Sequence, residues 1–174
     1  MKLGLLRCSC FLLCFVGLAV GCGGDKTMDT FKEMNKLNIS KLANSYVMFA
    51  SVNGNVGPKD AEELKNFIKS DDRVPPRLGL SSSELDNLDA IFISDADDEP
   101  FKIRFGLKIR VDEDRSPLIF DAVGVGGMRR VALADNQILE VTDSKKYDRM
   151  WEGNMSAKES GPDETEIDEA LEDE

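Results

Sequence analysis

At residue 90 the spacing of apolar side chains changes, and that change dictates the fold class. Upstream, Phe31, Met34, Ile39, Leu42, Tyr46 and Phe49 recur at three- to five-residue steps, which places them on one side of a helix over residues 29–52. Downstream, Phe101, Ile103, Phe105, Leu107, Ile109 and Val111 fall at every second position, the pattern of a strand with one wet side. Lys102, Arg104, Lys108 and Arg110 share that wet side. Helices first and strands afterwards imply an α+β domain, with a small antiparallel sheet of four or five strands packed on the first helix.

Local signals refine the outline. Asn53-Gly54-Asn55 stops the long helix, and Pro58 is expected to open a second one at its first position. Asp60, Glu62 and Glu63 then sit in a first turn whose dipole favours negative charge, while Ala61, Leu64, Phe67 and Ile68 form its inward side. Val74-Pro75-Pro76 ends that region, and Ser81-x-x-Glu84 has capping-box spacing for one more helical turn. Ile91-Phe92-Ile93 is expected as a short strand, residues 95–100 as a turn, and residues 101–111 as a long strand. Three more strands are expected over 118–123, 128–134 and 137–142, joined by Gly124-x-Gly126-Gly127 and by Asp135-Asn136. Thr142 or Asp143 caps a last helix carrying Tyr147, Met150 and Trp151.

The amino terminus has the grammar of an export signal: Lys2 and Arg7, then an apolar run over residues 8–20, then Gly21 before Cys22. A permanent span needs about 20 apolar residues, so this run is expected to be cleaved as a signal peptide over residues 1–21. Three of the four cysteines lie inside it. Cys22 alone remains, and no internal disulfide is available to the exported domain. Residues 22–28, with Gly23-Gly24, suit a flexible tether leading to a domain over residues 29–151.

Charge restricts the partners. The chain carries a net charge of -11, with ten acids against Lys158 in residues 152–174, an expected disordered acidic tail too poor in apolar surface to order itself. An acidic surface repels phosphate backbones, which excludes nucleic acid as an expected partner. The absence of histidine removes His-based acid–base catalysis and the commonest transition-metal ligand. No metal, cofactor or catalytic residue is expected.

Leu18-Ala19-Val20-Gly21-Cys22 resembles a bacterial lipobox, which implies a diacylglyceryl group on the Cys22 sulfur and attachment to a membrane. Ala19-x-Gly21 also fits an ordinary small-x-small cleavage site; both readings cut before Cys22 and differ in whether its sulfur carries lipid. Gly23 resembles the outer-membrane sorting class, which implies a protein on the outer membrane facing the periplasm. Residues 42–46, Asn53-Gly54, Gly57-Pro58 and Glu63-Leu64-Lys65-Asn66-Phe67-Ile68 resemble the heads of pseudopilins of type II secretion, in which a small sheet lies on a long helix. The cleavage site and Phe-Thr-x-x-Glu helix of that family are absent, which sets pilus assembly by its mechanism aside. Residues 91–106, Gly126-Gly127-Met128-Arg129-Arg130-Val131 and residues 147–153 resemble small planctomycete lipoproteins of unknown function, a group that implies no activity.

Candidate chemistry is sparse. Asp95, Asp97 and Glu99 alternate as a calcium loop begins, but Pro100 and Gly106 stand where the turn glycine and bidentate Glu belong. A solvated hairpin turn is the expected reading. Lys102, Arg104, Lys108 and Arg110 are candidate surface contacts for anionic groups. The functional expectation is a lipid-anchored, non-enzymatic binding or scaffolding module that engages an envelope protein through its sheet or tail. A carboxylate- or metal-dependent envelope hydrolase and a secretion-system accessory are the alternatives.

Overall fold

The computed structural model describes residues 35–110 and 115–154. The expected signal peptide, the expected tether with Cys22, Phe31, Met34, Val111 and the chain beyond residue 154 lie outside the described residues. Within them the fold is α+β, with five α-helices, one 3-10 helix and a four-stranded antiparallel sheet. No helix among the described residues is long and apolar enough to cross a membrane.

Helix α1 (Asn38–Val52) buries Ile39, Leu42, Tyr46, Phe49 and Ala50, the face expected from its periodicity. It starts later than the expected residue 29, because Leu37 is extended (φ -91°, ψ 145°). The reason is a cap supplied from far along the chain. The Asn38 N–H donates to Asp95 Oδ1 at 3.0 Å, and the Asn38 side chain donates to the Ile93 carbonyl at 2.9 Å. A carboxylate on the first N–H of a helix also meets the positive end of its dipole. Gly54 and Asn55, both with φ of 66°, close the other end.

Helix α2 (Ala61–Ser70) corrects the reading of Pro58. Asp60 is the N-cap, accepting the Glu63 N–H at 2.8 Å, while Glu63 accepts the Lys59 N–H at 2.7 Å. This reciprocal pairing satisfies two orphan donors, so the helix begins three residues after the proline. Leu64 and Ile68 are fully buried, and Phe67 meets Phe49 edge-on at 5.4 Å. The short helices α3 (Val74–Arg77) and α4 (Ser82–Asp86) follow, the latter with the complete Ser81/Glu84 capping box. Residues 91–93 are not a strand. Ile91 and Phe92 end a 3-10 helix (Leu88–Phe92) whose buried Leu88 and Ile91 lie three residues apart, one turn of that helix, and the extended Ile93 makes a single bridge to Pro100.

The sheet runs β1 (Lys102–Ile103), β2 (Pro117–Phe120), β3 (Arg129–Leu133), β4 (Ile138–Val141) in spatial order. Ile103, Ile119, Ala132 and Ile138 stand opposite one another and face the cluster built on α1. Lys102, Phe120, Val131 and Leu139 stand opposite one another on the reverse side. There α5 (Ser144–Glu152), capped by Asp143, packs Tyr147 and Met150 against Phe120, Val131, Leu133 and Val141. The sheet is therefore covered on both sides. This explains why all four residues of β2 are buried rather than alternate ones.

The expected long strand over residues 101–111 is broken after Ile103. Its apolar side chains still face the main core: Phe101 and Ile109 are buried, and Ile103, Phe105 and Leu107 are partly so. The backbone, however, turns at Phe105-Gly106, where Gly106 has φ of 69°. Tyr46 holds the break. Its hydroxyl donates to the Arg104 carbonyl at 2.9 Å and accepts the Leu107 N–H at 3.2 Å, taking groups that a continuous ladder would have paired. Residues 107–109 pair instead with the loop after α1, through Gly57 N–H to Leu107 O and Ile109 N–H to Asn55 O, both at 2.8 Å.

Candidate functional site

Two polar clusters lie at the margins of the sheet, and they differ in what their charges do. The first gathers the acidic turn. Asp121, 1% exposed, accepts the Ser94 hydroxyl at 2.8 Å, Arg130 Nε at 2.8 Å, Arg130 Nη2 at 3.1 Å and the Arg130 N–H at 2.9 Å. Arg130 Nη1 reaches Asp95 at 3.1 Å, and Asp95 in turn caps α1. The guanidinium pKa is pushed further up, by the Asp121 hydrogen bonds first, against the cost of burial.

The other acids of this turn point elsewhere. Asp97 accepts the N–H groups of Val123 and Gly124 and so pins the glycine-rich β2–β3 turn. Burial pushes its carboxyl up, but the Gly124, Glu99 and Val123 amides together outweigh that and hold it below its usual range. Asp95, Asp97 and Glu99 thus fan out to a helix end, a hairpin and solvent. Among the described residues no three acidic or sulfur side chains gather as a metal site.

The basic row is split by the Phe105-Gly106 turn, which corrects the expectation that its four members share one side. Lys108 stands across from Val56 beyond the turn, and exposed Arg110 follows it. Arg104 is turned inward. Its Nη1 lies 3.3 Å from the Pro117 carbonyl and 3.5 Å from the Met150 carbonyl, at the negative end of α5, and burial pulls its pKa down. Of these four, only Lys102 presents an exposed charge on the α5 side of the sheet.

Around Lys102 lies the second cluster. Its Nζ is 5.8 Å from the ring centres of both Tyr147 and Trp151. Phe120 meets Tyr147 at 5.4 Å and Trp151 at 5.3 Å, both edge-on, and the Arg129 guanidinium lies 3.6 Å over the Tyr147 ring. The Tyr147 hydroxyl donates to the Asp121 carbonyl at 2.6 Å, tying this face to the first cluster. Burial raises the Tyr147 pKa, with Arg129 opposing it. Among the described residues neither Lys102 nor Arg129 makes an ion pair, whereas Arg130 makes two. Trp151 remains 38% exposed.

Sequence reasoning missed Arg129. Its parity with Val131 in β3 puts it on the α5 side, but the signal becomes readable only once α5 is known to cover that side. A separate open groove of about 440 Å³, lined by Pro75, Pro76, Leu80 and Leu85 with Asp72 and Ser81 on its polar side, holds none of the expected site residues. No protein family, characterised protein or solved structure matches the chain.

Proposed function

We propose that the protein is a non-enzymatic binding module of the cell envelope, lipid-anchored through Cys22 and gripping an acidic envelope protein with the face around Lys102, Arg129 and Trp151. The contrast between the two clusters carries this reading. Asp121, Asp95, Ser94 and Arg130 satisfy one another, while Lys102 and Arg129 lie over aromatic rings with no carboxylate partner among the described residues. Cations held on a rigid aromatic platform beside a partly exposed tryptophan are the composition of protein-binding hot spots. The anchor rests on the export signal and on Cys22; two or three acyl chains, at roughly 0.8 kcal/mol per buried methylene, hold a domain firmly on a bilayer. Gly23 favours the outer membrane, with the domain in the periplasm.

The test joins anchor to partner. A photo-crosslinking residue at position 148, one turn before Trp151 and beside Tyr147, is expected to give one discrete protein adduct in intact cells. Cys22→Ser is expected to move the protein to the aqueous phase and Lys102→Glu to erase the adduct. An unmodified Cys22 thiol by mass spectrometry would refute the anchor, and an adduct indifferent to Lys102→Glu would refute the face.

A further inference from the structure

Residues 155–174 carry nine acids against Lys158, together with Ile167 and Leu171. That mixture of carboxylates and aliphatic groups complements a surface of cations over aromatic rings. We infer that this acidic segment docks in cis on the face formed by Lys102, Arg129, Tyr147 and Trp151, and withholds it from acidic partners. The inference rests on reading that face as an anion-binding surface and adds its regulation.

The place where the chain leaves the domain favours the contact. Helix α5 is closed by Gly153, with φ of 76°, and the Asn154 N–H returns to the Arg149 carbonyl at 2.9 Å. This left-handed cap folds the chain back on the helix end instead of letting it run on. Gly153 stands against the Arg104 guanidinium, where an added Cβ would come within 2.5 Å of Nη2. The acidic segment therefore starts beside one cation and a single helical turn from Trp151.

Reach and local concentration supply the rest. Twenty residues extend to at most about 70 Å, far more than the few turns of helix that separate residue 154 from Arg129. A short tether holds its end at an effective concentration in the millimolar range, so that even weak charge pairing in cis competes with a partner in trans. Asp148 and Glu152 are the acids of α5 itself and Asp143 caps it, and these three are outnumbered by Lys102 and Arg129 of the sheet and the adjoining Arg104, together with Lys145, Lys146 and Arg149 of the helix. The exposed charges make the contact sensitive to ionic strength.

Trp151 is the single tryptophan of the chain, so its emission reports this face alone. The experiment measures acrylamide quenching of the full mature chain in non-ionic detergent, beside a full-length variant with the nine acids of residues 159–174 changed to their amides. At about 20 mM salt the unaltered chain is expected to be about twofold less quenched than the amide variant, and at about 0.5 M salt the two converge. Lys102→Glu, an exposed substitution at the sheet margin, is expected to raise quenching to the level of the amide variant with unchanged circular dichroism. Equal quenching of the unaltered and amide chains at low salt would overturn the inference while leaving the cross-linking result untouched. Protected Trp151 together with no adduct from the amide variant would instead remove the partner reading and keep the cis contact.

Discussion

The Arg130 guanidinium grips the buried Asp121 carboxylate at both oxygens, with Nε to Oδ2 at 2.8 Å and Nη2 to Oδ1 at 3.1 Å. Because the third nitrogen of Arg130 reaches Asp95, which caps α1, one residue ties β3 to the end of β2 and to the first turn of the long helix. Strand register and helix position are set by the same side chain.

Removing one partner leaves the other charge stranded. Asp121→Ala is expected to cost about 3–5 kcal/mol, because the guanidinium and the Ser94 hydroxyl lose their acceptor where water does not reach. Urea unfolding monitored by circular dichroism reads the loss; a change below about 1 kcal/mol would show the pair to be a bystander.

Tyr46→Phe keeps the ring and deletes the hydroxyl that holds Arg104 and Leu107 apart from a ladder. The Leu107 N–H and Arg104 carbonyl are left without that partner, a cost of about 1–3 kcal/mol. Faster amide exchange at Leu107 than in the parent is the local signature, and unchanged exchange there would contradict the assigned role.

Two glycines of the β2–β3 turn separate conformation from crowding. Gly126 has φ of 63° with open space around it, so Gly126→Ala is expected to cost about 1 kcal/mol from the backbone alone. Gly124 has φ of 79°, and an added Cβ would lie 2.2 Å from the Met128 carbonyl oxygen. Gly124→Ala is expected to cost a further 1–3 kcal/mol, roughly the range of overpacking. Equal melting midpoints for the two variants would count against the geometry of the turn.

Glu84 is one source of acid sensitivity, beside Asp71, Asp89, Asp97 and Asp143, whose carboxyls are also held below their usual range. Burial pushes its carboxyl up, but hydrogen bonds from the Lys41 ammonium and from Ser81 outweigh that and hold it at about 2 instead of 4.5. A folded-state value below the unfolded one contributes stability that is complete above pH 4.5 and fades as pH falls toward 2. Unfolding free energy is expected to decline over that window in the parent. Glu84→Gln should flatten the decline, and parallel pH profiles would argue that Lys41 and Glu84 are not coupled.

What the chain discloses by spacing, it discloses well. The apolar face of α1, the Ser81/Glu84 box, three of the four strands and the helix with Tyr147, Met150 and Trp151 follow from local pattern, because each is decided within a few residues. Features set by distant partners were not legible. Alternation over residues 101–111 reads as one strand, yet a hydroxyl 61 positions from Leu107 interrupts it. Helical periodicity before Asn38 invites an earlier start, yet Asp95, 57 positions away, sets the first turn. The same holds for the site: Lys102 is visible in the alternation, whereas its aromatic setting and Arg129 require knowing which side α5 covers. Asp121, the most tightly bonded acid, has no flanking motif, since its partners Ser94 and Arg130 converge only in three dimensions.

The helix that begins at the Asp121 end of β2 and the helix that finishes beside Pro117 give the domain a head and a foot. If the chain is moored through Cys22 as proposed, it enters the described domain at the head, where Asp95 caps the first turn of α1. A partner that grips Trp151 then meets the end of α5, the element farthest along the described chain from that entry.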